Sequence, residues 1–329
     1  RAWREIHPDP QSLVDLMGQK LTEASQPSPS FQAQCLLTQS EYLFRWALHH
    51  YTAGDLSGSA ALFEKAAWTY RRSNTLTSIL DRFEARRVEA DAWNYAAWSH
   101  YYQATNDQTG DPDRVMSHLA EAERCFLNGF ESIPDDETAT LGLDYVGAYH
   151  LENLSMTSAR DFYGRISPHA QNAKWWNNFG LFCRDTGTEA EQAGQNDLAL
   201  ALYEDSYRGY SLAIEIDPDD ARMVNDTGLI LLYHLHEDLD LAEELFLRAW
   251  DLGKDVCNNP FADKATIAWN FEAYCDAMLN LARLYEGQNR LHQAKQIVDE
   301  LVGIAPFRPD ARMTRASIQQ ALQEETGEG

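Results

Sequence analysis

Along the chain, bulky and small apolar residues recur at fixed intervals, with polar residues filling the gaps. A bulky residue is followed at once by a small one. About twelve positions on comes another small residue, then an aromatic or aliphatic one four later and a small or aliphatic one three after that. The cleanest copy is Leu281-Ala282, Tyr285, Ala294, Val298, Leu301 and Pro306. Trp46-Ala47, His50, Ser59, Phe63 and Ala66 make another, and Val146-Gly147, His150, Ala159, Tyr163 and Ile166 a third. Two longer copies run Phe179-Gly180, Cys183, Ser206, Tyr210, Ala213 and Thr227-Gly228, Leu231, Ala242, Phe246, Ala249, and a weak one holds Ala96-Ala97, Ala122, Phe126 and Gly129. Steps of three and four place side chains on one helical face, so each copy predicts two helices. The small residue of the first helix lets the second approach closely, and the later aromatic is expected to pack on the following pair. Each pair leaves an apolar face that only a neighbour covers.

The punctuation agrees with this frame. In Pro134-Asp135-Asp136, Pro218-Asp219-Asp220 and Pro309-Asp310, proline stops one helix and aspartate is placed to cap the next. A final helix is predicted from about Ala311 to Gln323, with Met313, Ile318 and Leu322 inward. The whole pattern resembles the tetratricopeptide repeat. That resemblance implies an all-α fold, a right-handed α-solenoid of about six helix pairs with a C-terminal capping helix. Residues 1–39, with Gln26-Pro27-Ser28-Pro29-Ser30, are expected to be a leader helix and linker, and residues 40–308 the repeat array, with inserts near 105–113 and 187–197. Residues 309–329 complete the chain as capping helix and acidic tail.

Composition narrows the partners more than the fold. The 51 acidic residues against 27 basic ones give a net charge of −24, which repels nucleic acid and anionic lipid and suits a basic protein partner. No apolar run approaches the roughly 20 residues that cross a bilayer, so membrane insertion is not expected. The chain begins at Arg1, and both a cytoplasmic location and export after removal of an N-terminal segment fit it. Five cysteines show no C-x-x-C spacing, and Cys125 and Cys183 fall on apolar stripes, where a thiol behaves as a small hydrophobe.

Catalytic chemistry has no signature here. Nucleotide-binding glycine loops, the nucleophile elbow and H-E-x-x-H are all missing, so no enzyme activity, cofactor or metal is expected. The segment His234-Leu235-His236-Glu237-Asp238 carries metal-binding side chains, but on a helix His234 and His236 point to opposite sides, and the segment coincides with a turn inside a repeat. The paired carboxylates sit at helix starts, where the macrodipole favours them.

The resemblance implies protein or peptide binding by the concave face that the first helix of each pair lines. Projected onto this sequence, the groove positions are Lys174, Asn177, Asn178 and Leu181, then Arg222, Asn225, Asp226 and Leu229, then Asp276, Leu279, Asn280 and Arg283. Towards the N-terminus they are Asn94, Tyr95 and Trp98, with Tyr101 and Tyr102 further along, then Asp144 and Tyr145. An asparagine row offers donors and acceptors to an extended peptide, though inter-helix bonding would use the same amides. Exposed aromatics suit an apolar or proline-rich segment, though they equally suit a core. The chain is therefore read as a non-catalytic scaffold holding an extended or basic partner segment, or alternatively as a structural subunit of a larger complex that docks through convex faces and inserts. The two-carboxylate clamp of chaperone-tail binders is not reproduced, because Leu181 and Leu229 stand at its places.

Overall fold

The structure, a computed structural model, describes residue 19 and residues 28–76, 82–134 and 136–326. Apart from Gln19, the leader expected before Ser28 lies outside the described residues, as do Asp135 and the end of the acidic tail. Among the described residues the regular structure is helical throughout. They form two compact units that divide between Leu154 and Ser155.

In the first unit, α1 (Pro29–Thr52) turns at Gly54, whose φ of 82° suits a residue without a side chain, into α2 (Leu56–Leu76). Residue 40 thus lies inside α1. The next pair is α3 (Arg82–Thr105) and α4 (Pro112–Ser132), joined by a loop that ends on the Asp111 cap. α5 (Glu137–Tyr149) follows and widens into a π-turn over His150–Leu154. Phe63, Trp93, Phe126 and Leu143 are fully buried in this unit.

The second unit holds α6 (Met156–Ile166), α7 (Ala173–Gln192), α8 (Asn196–Ile216) and α9 (Ala221–Ile230), the last continued by a π-turn over Leu231–Leu235. After these come α10 (Leu239–Asn258), α11 (Lys264–Gly287), α12 (Leu291–Ile304) and α13 (Pro309–Thr326). In chain order thirteen helices are described, five in the first unit and eight in the second, and the unit boundary falls between the two helices predicted as the third pair. The aspartate caps are where the punctuation puts them. Asp136 accepts from the Ala139 N–H at 2.8 Å, and Asp220 from the N–H groups of Arg222 and Met223 at 2.9 Å each.

Close approach within a pair is built on glycine. A Cβ on Gly180 of α7 would lie 2.7 Å from the Tyr210 ring of α8, and Ser206 donates to the Gly180 carbonyl at 2.7 Å. Gly228 of α9 meets Phe246 of α10 in the same way, at 2.8 Å. The aromatic expected to face the following pair therefore also seats on the glycine of its own pair. The added residues near 187–197 lengthen both helices instead of forming a separate loop. Gly187 continues α7 where a Cβ would lie 2.7 Å from the Tyr203 ring, and the chain turns only at Gly194, where φ is 74°.

On α13 the inward stripe is Ala311, Thr314 and Ile318, with Leu322 partly buried, packed on α11 and α12. Met313, expected inward, is exposed. It stands one residue from Thr314, about 100° round the helix from that stripe.

Candidate interaction surface

In the first unit the predicted aromatic positions come together in two ring clusters, one around Tyr95 and one around Trp98. Tyr95 stacks on Phe63 with ring centroids 5.1 Å apart and meets Phe44 and Tyr51 edge-on at 5.7 and 5.8 Å. Trp98 contacts Tyr101, Tyr102, Phe126 and Tyr145 at 5.2–5.7 Å, and Tyr101 reaches Tyr149 at 6.5 Å. These offset and edge-to-face contacts are the favoured geometry for aromatic pairs. Yet Tyr95, Tyr102 and Tyr145 remain 37%, 39% and 49% exposed. Tyr95 and Tyr102 flank an open cleft of about 420 Å³, lined by Tyr51, Asp91, Asn94, Tyr95, Trp98, Tyr102 and Thr138.

Asn94 serves the fold. It is 3% exposed, and its Nδ2 donates to the Asp136 carboxylate at 2.9 Å, tying α3 to the cap of α5. Its Oδ1 lies against Gly129 of α4, where a Cβ would sit 2.5 Å away.

In the second unit the structure joins four of the predicted positions in one network. Asn280 donates to Asn225 at 3.0 Å and accepts from the Tyr233 hydroxyl at 3.0 Å; Arg283 donates to Tyr233 at 3.4 Å and to Thr314 at 3.3 Å. Asn225 in turn donates to Asp226 at 3.4 Å. With Asn225 and Asn280 at 3% and 6% exposure, both amides are engaged between helices, linking α9, α11 and α13. Arg222 lies on the outside of this network. Its guanidinium stacks 4.0 Å from the Trp269 ring and donates to Glu272 at 2.7 Å. On α7, Lys174 is exposed, Asn178 is half-buried, and Asn177 has an enclosed Oδ1 that closes no hydrogen bond.

Burial raises the Asp226 carboxyl to about 6, against the downward pull of Arg184 and Arg222. Sequence projection missed Tyr51, Asp91, Arg184 and Tyr233. Tyr51 and Tyr233 lie beyond the positions projected from the small residue of each first helix, and a search one turn further on would have found them. In the 234–238 segment, His236 and Asp238 take left-handed backbone at φ 55° and 48°. The His234 ring packs 4.4 Å from Tyr203, and burial depresses its pKa.

Glu64, His100 and Cys125 each bring a possible metal-ligand atom within 4.8 Å of the others. The Glu64 carboxylate is held by Arg124 at 2.6 Å and His100 at 3.0 Å. Burial alone would raise its pKa, but these two partners outweigh it and keep the group below the usual carboxylate range. A guanidinium already neutralises this carboxylate, so the cluster acts as an ionic tie among α2, α3 and α4. Burial pushes up the thiols of Cys125, of Cys183 to about 12 and of Cys275 to about 11.

No family model matches the chain, and no curated protein matches it. Among solved structures it is similar to TTC0263, a thermophilic tetratricopeptide protein of Thermus thermophilus, at 16% identity over 68% of this chain and 99% of that one, with a TM-score of 0.41. It is also similar to Acl4 (residues 1–338), an assembly chaperone of RpL4, at 11% identity over 88% and 98%, TM-score 0.33. The TPR2AB domain of yeast Sti1 in its pHSP90 complex aligns at 12% identity over 88% and 95%, TM-score 0.24. No helix among the described residues is long and apolar enough to cross a membrane.

Proposed function

We propose that this chain is a non-catalytic protein-binding scaffold, and that the first-helix faces of its pairs hold an extended partner segment, favoured when basic by the chain's net charge of −24. The observation that carries this reading is the aromatic face of the first unit. Rings that pack on one another yet stay more than a third exposed form the kind of anchored, preorganised apolar surface that partners use. The titratable clusters support binding over turnover, since Glu64 is tied to Arg124 and His100, and Arg222 to Glu272. In the second unit the groove role falls to Lys174, Asn178 and Arg222, while Asn225, Asp226 and Asn280 belong to the network between the helices that carry them.

The test is recovery of the native complex from its own cells at low salt, with cross-links mapped by mass spectrometry. One protein at fixed ratio, cross-linked near Tyr145 or Lys174 and released as salt rises, is the expected outcome. A chain recovered alone at low salt overturns the reading.

A second reading, a structural subunit docked through its convex side, draws on the exposed Leu198 and Leu200 of α8 and Leu241 and Leu247 of α10. Leu200→Glu with Leu247→Glu would dissolve such an assembly and leave a groove-bound partner in place.

A further inference from the structure

We infer that the cleft along α3 binds a proline-rich segment in the polyproline II conformation, with an arginine or lysine of that segment seated at the Asp91 end. This rests on the scaffold reading and narrows it.

The lining residues Asp91, Asn94, Tyr95, Trp98 and Tyr102 run down one side of α3, with Tyr51 on one bank and Thr138 on the other. At a helical rise of 1.5 Å per residue, the run from Asp91 to Tyr102 is about 16 Å long. A polyproline II segment of about five residues covers that length at about 3 Å per residue. Tyr95 and Tyr102 stand two helical turns apart, about 10 Å, close to the roughly 9 Å of one polyproline II turn. Successive prolines three residues apart thus meet successive tyrosines, with Trp98 between them.

The chemistry of the lining fits the same occupant. Polyproline II forms no internal hydrogen bonds, so its carbonyls are free to accept from tyrosine hydroxyls along the cleft. The rings are already fixed by their mutual contacts, and a proline-rich segment is already extended, so little freedom is lost on either side. Charge selects the end. Among the described residues Asp91 closes no hydrogen bond or ion pair, and Asp136 adds a second carboxylate to its field, against Arg87 one turn back on α3. A partner cation placed there meets net negative charge and lies beside the Tyr95 ring.

The experiment titrates the full chain, by calorimetry and tryptophan fluorescence, with a peptide of two arginines and eight prolines. Two controls are used: the same peptide with alternating glycine and serine in place of proline, and eight prolines with two glutamates. The arginine-proline peptide should bind, and each control should bind about tenfold more weakly. Tyr102→Ala, whose ring is exposed, should weaken the first peptide about tenfold with the helical circular dichroism unchanged, and Trp98→Leu should do the same. Asp91→Asn should weaken the arginine peptide about fivefold and leave the glutamate peptide no weaker.

A glycine-serine peptide that binds as tightly as the proline one would reduce the cleft to a charge effect and overturn the inference. So would unchanged affinity in Tyr102→Ala, or no binding of the proline peptide. Self-association of the chain through the same rings, abolished by Tyr102→Ala in sedimentation, would make a second copy the occupant and also overturn it. None of these results touches the scaffold reading, which stands or falls on the native complex.

Discussion

The first-helix faces of the two units use the same side-chain types in opposite ways. In the first unit the amide is turned inward, Asn94 onto the Asp136 cap, while Tyr95, Tyr102 and Tyr145 stay open to solvent. In the second unit the amides of Asn225 and Asn280 bond each other, and the large ring on the face, Trp269, carries the Arg222 guanidinium. An asparagine at a groove position therefore does not by itself present an amide to a partner. Whether it does depends on how closely the next first helix approaches. The first unit leaves apolar ring area open to solvent, whereas the second leaves Lys174 exposed and holds the Asp226 carboxyl inward.

Four single substitutions and one double mutant break or sharpen this contrast, the single ones in descending order of effect. Gly180→Val attacks what the pairs share, the close approach of their helices. It forces branched atoms onto the Tyr210 ring and should cost about 3 kcal/mol in urea unfolding. Asn280→Ala leaves the Asn225 oxygen and the Tyr233 hydroxyl without their partner inside the second unit, an expected loss of about 2 kcal/mol. Combined with Asn225→Ala, the loss should fall short of the sum, because one bond is removed twice; strict additivity in the double-mutant cycle would mean that the amides act separately.

Asp226→Asn should stabilise the chain at pH 7 by about 1 kcal/mol. Its carboxyl is raised from 3.8 to about 6 on folding, so between those values the folded chain holds a proton that the unfolded chain has lost. Stability from this group therefore falls as pH rises through that window, and the substitution should flatten the slope there. Thermal melts of the two proteins from pH 4 to 7 measure the difference, and parallel curves would contradict the assignment. Tyr102→Ala, on the open face of the first unit, should shift stability by less than about 0.5 kcal/mol while weakening partner binding about tenfold, which separates surface from core.

Much of the architecture was legible because it rests on local rules. Steps of three and four gave the helix pairs, Gly180 and Gly228 gave their contact, and Pro-Asp punctuation gave the caps at Asp136 and Asp220. Length added near 187–197 was legible as extra residues, but helix propensity and the Tyr203 contact at Gly187 decided that it extends helices. The register of α13 was off by one position at Met313, since a short amphipathic stripe tolerates that shift in sequence and only packing on α11 and α12 selects it. The site was less legible than the frame. A positional rule tells which side of a helix a residue occupies, but the partners of Asn94, Asn225 and Asn280 lie 42 to 55 residues away in the chain. Likewise Tyr51 meets Phe63 and Tyr95 only through α1 packing on its neighbours.

The buried thiols have a practical consequence. Cys125 lies in the first unit, Cys183 and Cys275 in the second, and each is shielded from solvent and held in its protonated, unreactive form. Alkylation at any of them requires that the surrounding helices first part. The rates at which the three sulfurs are modified, read peptide by peptide, are thus built-in clocks for the opening of each unit, and they run without any introduced label.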